Sequence, residues 1–212
     1  MTRFALALSI LTLSASAAEA DLKTVLKGVE ARYNRAKTLQ LLFTESFAGQ
    51  GRPRQVESGQ LTLRKPGRMR WDYTAPPGKL FLSDGKQVYL YTPDLHRVER
   101  MPLKESDDMR APMAFLLGKL DFSKEFRDIA MRPEGENYLV TATARRDNLP
   151  YEKIQMTITP EFAIHRLVVN GQDLSVLTFQ FDQEKVNPPV DDNRFRFQMP
   201  PGAKLETAET GQ

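Results

Sequence analysis

Cysteine is absent from the 212-residue sequence, and histidine occurs only twice. The lack of cysteine excludes disulfides, a thiol nucleophile and an acylated N-terminal cysteine. His96 and His165 do not fall in a metal-ligand spacing, and zinc usually needs three or four ligands. Because a G-x-S-x-G elbow and a phosphate-binding glycine loop are missing too, we expect no metal, cofactor or catalysis. A serine–histidine–aspartate triad assembled from distant residues stays open, since triads are defined in space.

Long apolar runs are also scarce, and the one that stands out is at the N-terminus. Arg3 provides a positive start, residues 4–13 are apolar, and residues 14–20 are mostly small. The run is too short to span a bilayer, which takes about 20 apolar residues. The pattern predicts a secretory signal peptide over residues 1–20, cleaved near Ala20 or, alternatively, after Ala17. The mature domain would then comprise residues 21–212.

Clustered charge of one sign is missing as well. The chain carries 30 Lys and Arg against 27 Asp and Glu, a net charge of +3, and the two signs are interspersed. Nucleic-acid binding usually requires a clustered basic patch, so we expect no nucleic-acid partner. A hydrophobic content of 41% is enough for one sizeable core, and no linker or repeat divides the chain. We therefore expect a soluble monomer with one domain.

What the sequence does contain is alternation of apolar and polar residues, which is clearest over residues 59–93. Two alternating runs flank Pro66-Gly67. A period of two places one set of residues on each face of a strand, and Pro-Gly supplies the turn, so the two runs predict an antiparallel hairpin. In the second run, the predicted apolar face of the strand consists of Met69, Trp71 and Tyr73.

Further alternating runs continue to the C-terminal region. Residues 80–82 and 88–91 flank Asp84-Gly85 and predict a second hairpin, and Asn170-Gly171 marks another. Phe195, Phe197 and Met199 predict a last short strand. About ten or eleven strands at hairpin spacing predict an antiparallel meander, a curved sheet with one apolar concave side.

Two segments have helical features instead. From Asp21, an N-cap candidate, apolar residues recur at helical spacing as far as Ala36, which predicts an amphipathic helix packed on the sheet. Residues 111–120 have a proline early and a glycine near the end, and they are apolar nearly all round. We expect this short second helix either to be buried or to cover something apolar.

Several motifs occur in an order and spacing typical of a known family. They are residues 64–71 (RKPGRMRW), 82–86 (LSDGK) and 91–93 (YTP), the apolar segment 111–118, the hairpin at Asn170-Gly171 and the ending Phe195-x-Phe197-x-x-Pro200. On these motifs the chain resembles the outer-membrane lipoprotein carrier family, LolA, over nearly the whole mature part. The resemblance implies a mainly β fold with α: a single-domain unclosed antiparallel β-barrel, or half-barrel. An amphipathic N-terminal helix and a short apolar lid helix would accompany it.

The resemblance also implies a location and partners. Members of the family are periplasmic chaperones that carry acylated lipoproteins from an inner-membrane LolCDE-type transporter to an outer-membrane LolB-type receptor. Two alternatives remain open on the residues alone. One is a periplasmic carrier of another lipid or glycolipid, and the other is a non-catalytic lipid-sensing or scaffold module with the same fold.

The alternation and the resemblance together assign candidate site residues. The lipid-binding cavity would be lined by Leu41, Phe43, Phe47, Leu61, Leu63, Met69, Trp71, Leu82 and Leu90. The lid would consist of Met113, Phe115, Leu116 and Leu117. Ordinary core packing is the alternative for each residue, but a half-barrel needs a cover, since an exposed apolar patch of that size would aggregate. Met69 is expected at the rim, where a flexible thioether suits varied apolar shapes.

One position departs from the family pattern. Family members commonly place an arginine directly before the proline of the 64–71 motif, where it hydrogen-bonds the lid backbone and steadies the closed form. This chain has Lys65 there. Lysine offers a compact charge rather than a planar fork of donors. By the resemblance, Lys65 would act as the lid latch, with a weaker hold than arginine.

Overall fold

The computed structural model describes residues 20–49, 52–103 and 120–207. Residues 1–19 of the predicted signal peptide lie outside these ranges. The predicted lid residues Met113, Phe115, Leu116 and Leu117 lie outside them as well. The signal peptide and the lid helix therefore stay predictions.

The described chain is mainly β structure. Its helices are α1 (Leu22–Arg35) and α2 (Phe122–Glu125), with two short 3-10 helices at Pro93–Leu95 and Asp192–Phe195. Its strands are β1 (Thr38–Gly49), β2 (Arg52–Arg64), β3 (Arg68–Ala75), β4 (Leu80–Asp84), β5 (Gln87–Thr92), β6 (Arg97–Pro102), β7 (Phe126–Glu134), β8 (Asn137–Ala144), β9 (Tyr151–Ile158), β10 (Ile164–Gly171), β11 (Val176–Val186) and β12 (Lys204–Thr207).

These strands form one twelve-stranded sheet in the order β12-β6-β5-β4-β3-β2-β1-β11-β10-β9-β8-β7. Two antiparallel meanders, β1 to β6 and β7 to β11, meet where β1 pairs with β11. The sheet ends at β12 and β7, which do not pair with each other, so the barrel is unclosed. The predicted half-barrel is confirmed. The meander is interrupted twice: β1 pairs with β11, and β12 pairs in parallel with β6.

Helix α1 begins and ends as the sequence predicts. The Asp21 carboxylate accepts a hydrogen bond from the Thr24 backbone N–H at 2.8 Å, which satisfies one of the free donors of the first turn. Val25, Val29 and Tyr33 recur on one face and are buried against the sheet. The backbone returns to an extended conformation at Ala36, and β1 follows at once. The amphipathic N-terminal helix is confirmed.

The C-terminal region differs from the prediction. Phe195 ends a 3-10 helix that packs against β3 and β4, and the residues from Phe197 to Met199 are not in a strand. Phe195 is buried there, and the Phe197 ring stacks on Tyr89 with centroids 4.4 Å apart. The predicted last strand is wrong, because the alternating aromatic residues anchor an irregular segment to the sheet. The actual last strand is β12, which runs parallel to β6.

One face of the sheet carries the main hydrophobic core, and we call it the concave face. Helix α1 and Phe122 of α2 pack into the same core. The concave face includes side chains from both meanders: Leu39, Leu41, Phe43, Leu61, Leu63, Met69, Trp71, Tyr73, Phe81, Val88, Val140, Ala142, Ile154, Met156, Ile158, Ile164, Leu167, Val169, Leu177, Phe179 and Phe181. The opposite side is called the outer face.

Candidate functional site

The strand register arranges the concave face in rows that cross the sheet. In the central row, Leu41 lies opposite Leu61, which lies opposite Trp71. The row continues through Phe81 on β4 to Leu90 on β5. Directly opposed residues of antiparallel strands project from the same face, so these side chains form a continuous apolar strip. All of them are buried except Leu90, which is half-buried.

The next row contains a glycine that lets two aromatic rings meet. Gly59 on β2 lies between Phe43 and Tyr73. A Cβ atom at Gly59 would come within 2.1 Å of the Asp72 carbonyl oxygen, so no larger residue fits without moving the backbone. The Phe43 and Tyr73 rings approach edge-to-face with centroids 5.1 Å apart.

Trp71 is the centre of an aromatic cluster that joins the two meanders. Its ring lies 4.7 Å from Phe43 in an edge-to-face arrangement and 5.5 Å from Phe179 on β11, measured between centroids. Phe179 in turn stacks near Phe181 at 5.8 Å. Aromatic rings contribute large apolar area with few rotatable bonds, so this part of the concave face is both apolar and rigid.

Polar contacts hold α1 over the concave face at its C-terminal half. The Tyr33 hydroxyl donates to Glu184 Oε2 at 2.8 Å and accepts from the Ile164 backbone N–H at 2.9 Å. Arg32 donates to the same carboxylate through Nε and Nη2. Burial, with the Glu184 charge adding to it, raises the pKa of Tyr33, so the hydroxyl remains a donor.

A second set of contacts ties α1 to the segment before β7. Asn34 exchanges two hydrogen bonds with the Leu120 backbone: its amide donates at 2.8 Å and its carbonyl accepts at 2.7 Å. The Glu30 carboxylate accepts from the Phe122 backbone N–H at 3.0 Å. These contacts explain why the polar residues on this side of the helix are partly or largely buried. They make α1, Leu120 and α2 one cover on the concave face.

Most predicted cavity residues do come together. Leu41, Phe43, Leu61, Leu63 and Trp71 are buried on the concave face. Phe47 and Leu90 are partly buried and pack against the same core.

Met69 is on this face too, but only 1% of its surface is exposed. Met69 is the second residue of β3 and so lies close to a strand end, as expected, but its burial in the core makes the expectation of an accessible rim position wrong. Whether these residues bind lipid stays a prediction.

Leu82 is not on the concave face. It lies opposite Arg70 on β3 and Tyr89 on β5, which project from the outer face. Leu82 is fully buried there without belonging to the main core. The residue that does face the core at this point is Phe81, which the sequence analysis missed. Residues 80–82 are all apolar, so alternation could not determine which of them faces inward, and the pairing of Phe81 with Trp71 decides it.

Lys65 contacts helix α1 of the cover. Its Nζ donates at 2.9 Å to the backbone carbonyl of Tyr33, near the C-terminal end of α1, and the same carbonyl accepts the Ala36 N–H at 3.3 Å. Partial burial lowers the pKa of Lys65. The predicted latch to the lid segment stays a prediction, because that segment lies outside the described residues. What the geometry does show is a bond from Lys65 to helix α1.

One charged residue on the concave face was not predicted. Glu45 occupies an inward position on β1, is 5% exposed, and accepts a hydrogen bond from the Tyr73 hydroxyl at 3.0 Å. The Lys79 ammonium lies 4.6 Å from the centroid of the Tyr73 ring and is bonded to Glu57. The sequence did contain a signal for this position, because Glu45 is two residues from both Phe43 and Phe47 and therefore projects from the same face of β1. This end of the concave face is therefore polar, whereas the centre is apolar.

Two features are absent from the described residues: a cluster of metal-binding side chains and a membrane-spanning helix. Within residues 20–49, 52–103 and 120–207, no three His, Asp or Glu side chains gather closely enough to hold a metal ion. None of the helices in these ranges is long and apolar enough to cross a membrane.

The fold and the site thus define a class of protein: an open β-sheet whose concave face is lined with apolar side chains and covered by a helix. The family model of the outer membrane lipoprotein carrier protein LolA matches residues 34–198, so the chain belongs to the LolA family. This confirms the resemblance noted in the sequence.

Individual relatives are consistent with this family assignment. The chain is 30% identical over 157 residues to the outer-membrane lipoprotein carrier protein of Chromohalobacter salexigens, covering 74% of each chain. It is also 30% identical over 201 residues to the protein of the same name from Pseudomonas aeruginosa, covering 92% of this chain and 93% of that one. An uncharacterized conserved protein of Thermus thermophilus shares the fold, with a TM-score of 0.51 and 12% identity over 87% of this chain and 98% of the other.

Proposed function

We propose that this protein is a periplasmic carrier of acylated lipoproteins that holds their acyl chains on the concave face. The observation that carries the proposal is the apolar strip through Leu41, Leu61, Trp71, Phe81 and Leu90, in a chain whose relatives are named lipoprotein carriers. Apolar side chains bind hydrocarbon without directional contacts, so such a surface accepts acyl chains and needs no covalent chemistry. The protein acts as a chaperone rather than an enzyme.

Membership of the family supports a proposed route for the cargo. Residues 1–20 direct export and are removed, and the mature monomer of residues 21–212 works in the periplasm. It receives cargo from a LolCDE-type transporter in the inner membrane and delivers it to a LolB-type receptor at the outer membrane. A carrier of this kind must shield acyl chains from water between the two membranes.

Energetics limits how much of the cargo can be buried. Three long acyl chains contain about 45 methylenes, and at about 0.8 kcal/mol each their full burial would yield ~35 kcal/mol. Non-covalent affinities saturate near ~20 kcal/mol, and a carrier at that limit would never release its cargo. We therefore propose that the cover competes with the cargo for the concave face. Met113, Phe115, Leu116 and Leu117 form part of that cover, and the acyl chains enter only partly.

The experiment is a release assay with matched cargo. Inner-membrane vesicles containing a LolCDE-type transporter and a labelled lipoprotein are incubated with the purified protein, and soluble cargo is measured. The control is the same lipoprotein with its acylated cysteine replaced by serine. We expect soluble complex only with the acylated form. Equal recovery of both forms would contradict acyl-chain binding.

A second measurement distinguishes this function from its alternatives. Mass spectrometry identifies what copurifies with the protein from the periplasm. Acylated lipoprotein supports the proposal, a free lipid or glycolipid points to another carrier function, and protein free of any lipid points to a sensing or scaffold module.

A further inference from the structure

The indole N–H of Trp71 is a hydrogen-bond donor without a nitrogen or oxygen acceptor among the described residues. Trp71 is 0% exposed, and no described residue accepts a hydrogen bond from its Nε1–H. Leaving a buried donor without an acceptor is costly, and native proteins contain only a few such groups. An indole at the centre of an apolar strip therefore needs a specific explanation.

Two hydroxyls on the same face do have hydrogen-bond partners. The Tyr73 hydroxyl, next in line on β3, donates to Glu45. The Ser83 hydroxyl, inward on β4, donates to the Gly67 carbonyl at 2.9 Å. The sheet thus satisfies polar groups on either side of Trp71 but leaves the indole N–H without an acceptor. Phenylalanine would supply similar apolar area without this cost, so packing alone does not explain a tryptophan here.

Only certain chemical groups can be the hydrogen-bond partner of the Trp71 indole. The indole N–H donates and cannot accept, so its partner must carry an acceptor. On a surface that holds acyl chains, the acceptors that a ligand brings into an apolar site are the carbonyl oxygens that link its chains to the rest of the molecule. We infer that Trp71 Nε1 donates a hydrogen bond to a carbonyl that links an acyl chain of the cargo to the rest of the molecule. This inference rests on the proposed function and assigns a positioning residue to its binding site.

The surroundings of Trp71 suit that role. Phe43 and Phe179 hold the indole at centroid distances of 4.7 and 5.5 Å, so the donor is positioned before a ligand arrives. In the central row, Leu61 and Phe81 flank Trp71 on either side. Methylenes of the ligand would lie on these side chains while its carbonyl docks at the indole. Because Trp71 is fully buried, the cover must move before the ligand can reach it.

Nuclear magnetic resonance tests the inference on the unmodified protein. The chain has a single tryptophan, so its indole N–H gives one assignable signal after nitrogen-15 labelling. The probes are a short-chain diacyl phosphocholine and the dialkyl ether analogue of equal chain length, both below their micelle concentrations. We expect the ester to move the indole proton downfield, as hydrogen bonding does, and the ether to leave it without that shift. The same response to both probes would overturn the inference.

A calorimetric titration gives the matching energetic result. Trp71→Phe keeps an aromatic ring and removes the donor, so both probes lose the same apolar contact, and we expect the diacyl probe to lose about 2- to 10-fold more affinity than the ether probe. Equal losses for both probes would mean that Trp71 only packs, and would overturn the inference while leaving the proposed function intact. If neither probe bound the wild-type protein, acyl-chain binding itself would be refuted. Should Trp71→Phe fail to fold, the wild-type spectra still decide.

Discussion

Two leucines on neighbouring strands show how much the face of the sheet matters at the scale of single residues. Leu80 and Leu90 are both half-buried. Leu90 lies opposite Phe81 on the concave face, whereas Leu80 lies opposite Asp72 and Tyr91 on the outer face. The same residue type with similar burial therefore has a different environment on each side of the sheet. This makes the pair a matched test of where acyl chains bind.

We expect Leu90→Gln to weaken binding of a short-chain diacyl phosphocholine about fivefold, because half-burial of a leucine accounts for roughly 1 kcal/mol of apolar contact. Leu80→Gln is the control and should lower stability similarly without changing binding. Titration calorimetry measures affinity, and urea unfolding confirms that both variants fold. If the two substitutions weaken binding equally, the ligand does not distinguish the faces, and the concave face is not the site.

At the scale of the element, α1 is held by apolar packing along one face and by polar contacts at its C-terminal end. Tyr33 binds Glu184 and Ile164, Asn34 binds Leu120, and Lys65 binds the Tyr33 carbonyl. Earlier in the helix, Val25 and Val29 contribute apolar packing. Apolar contacts are non-directional, whereas buried hydrogen bonds fix one geometry. The hydrogen bonds therefore fix the orientation of α1, and each of them can be removed by a single substitution.

Tyr33→Phe should destabilise the protein by about 1–3 kcal/mol, because it leaves the Ile164 N–H buried without its acceptor. The difference should shrink in alkali. The pKa of Tyr33 is raised above its ordinary value of 10.0, so this tyrosine stabilises the fold fully below that pH. The contribution is lost as the pH rises above it, because only the unfolded state then ionises.

Urea unfolding at neutral pH and above pH 10 measures both effects. Tyr91→Phe, on the outer face, is the control for changes common to tyrosines. A Tyr33→Phe variant as stable as wild type at neutral pH would show that the hydroxyl does not anchor α1.

At the scale of the whole molecule, an open sheet with an apolar face has to be covered in every state. The described cover consists of α1, Leu120 and α2. The sequence predicts a further apolar helix over residues 111–120 as a lid. A carrier needs a cover that is stable without cargo and displaced by it, so the empty and loaded forms must differ in which apolar group occupies the concave face.

Replacing Phe115 with Asp tests the predicted lid. A carboxylate against apolar walls is costly, so we expect the lid to open in the empty protein and binding of a hydrophobic fluorescent dye to rise severalfold. Phe115→Leu, which keeps an apolar side chain, is the control and should resemble wild type. Dye binding and melting temperature that both stay unchanged in Phe115→Asp would remove this residue from the cover.

Local patterns in the sequence were enough for much of this fold. Alternation identified β2 and β3, Pro-Gly and Asp-Gly located their turns and the next hairpin, and Asp21 with the helical repeat identified α1. The inward positions of Leu41, Phe43, Leu61 and Trp71 followed from the same alternation, because a strand reverses its face at every residue. The apolar character of the concave face could therefore be predicted from the alternation of residues along each strand.

Only the tertiary structure decided features that depend on distant pairing. The union of β1 with β11, the inward position of Phe81 in place of Leu82, and the packing of Phe195 on the outer face all require the register between separate strands. Lys65 met Tyr33, and the Trp71 indole was left without an acceptor, for the same reason. A periodic sequence specifies which side chains share a face, but which of them meet is determined by contacts between segments far apart in the chain.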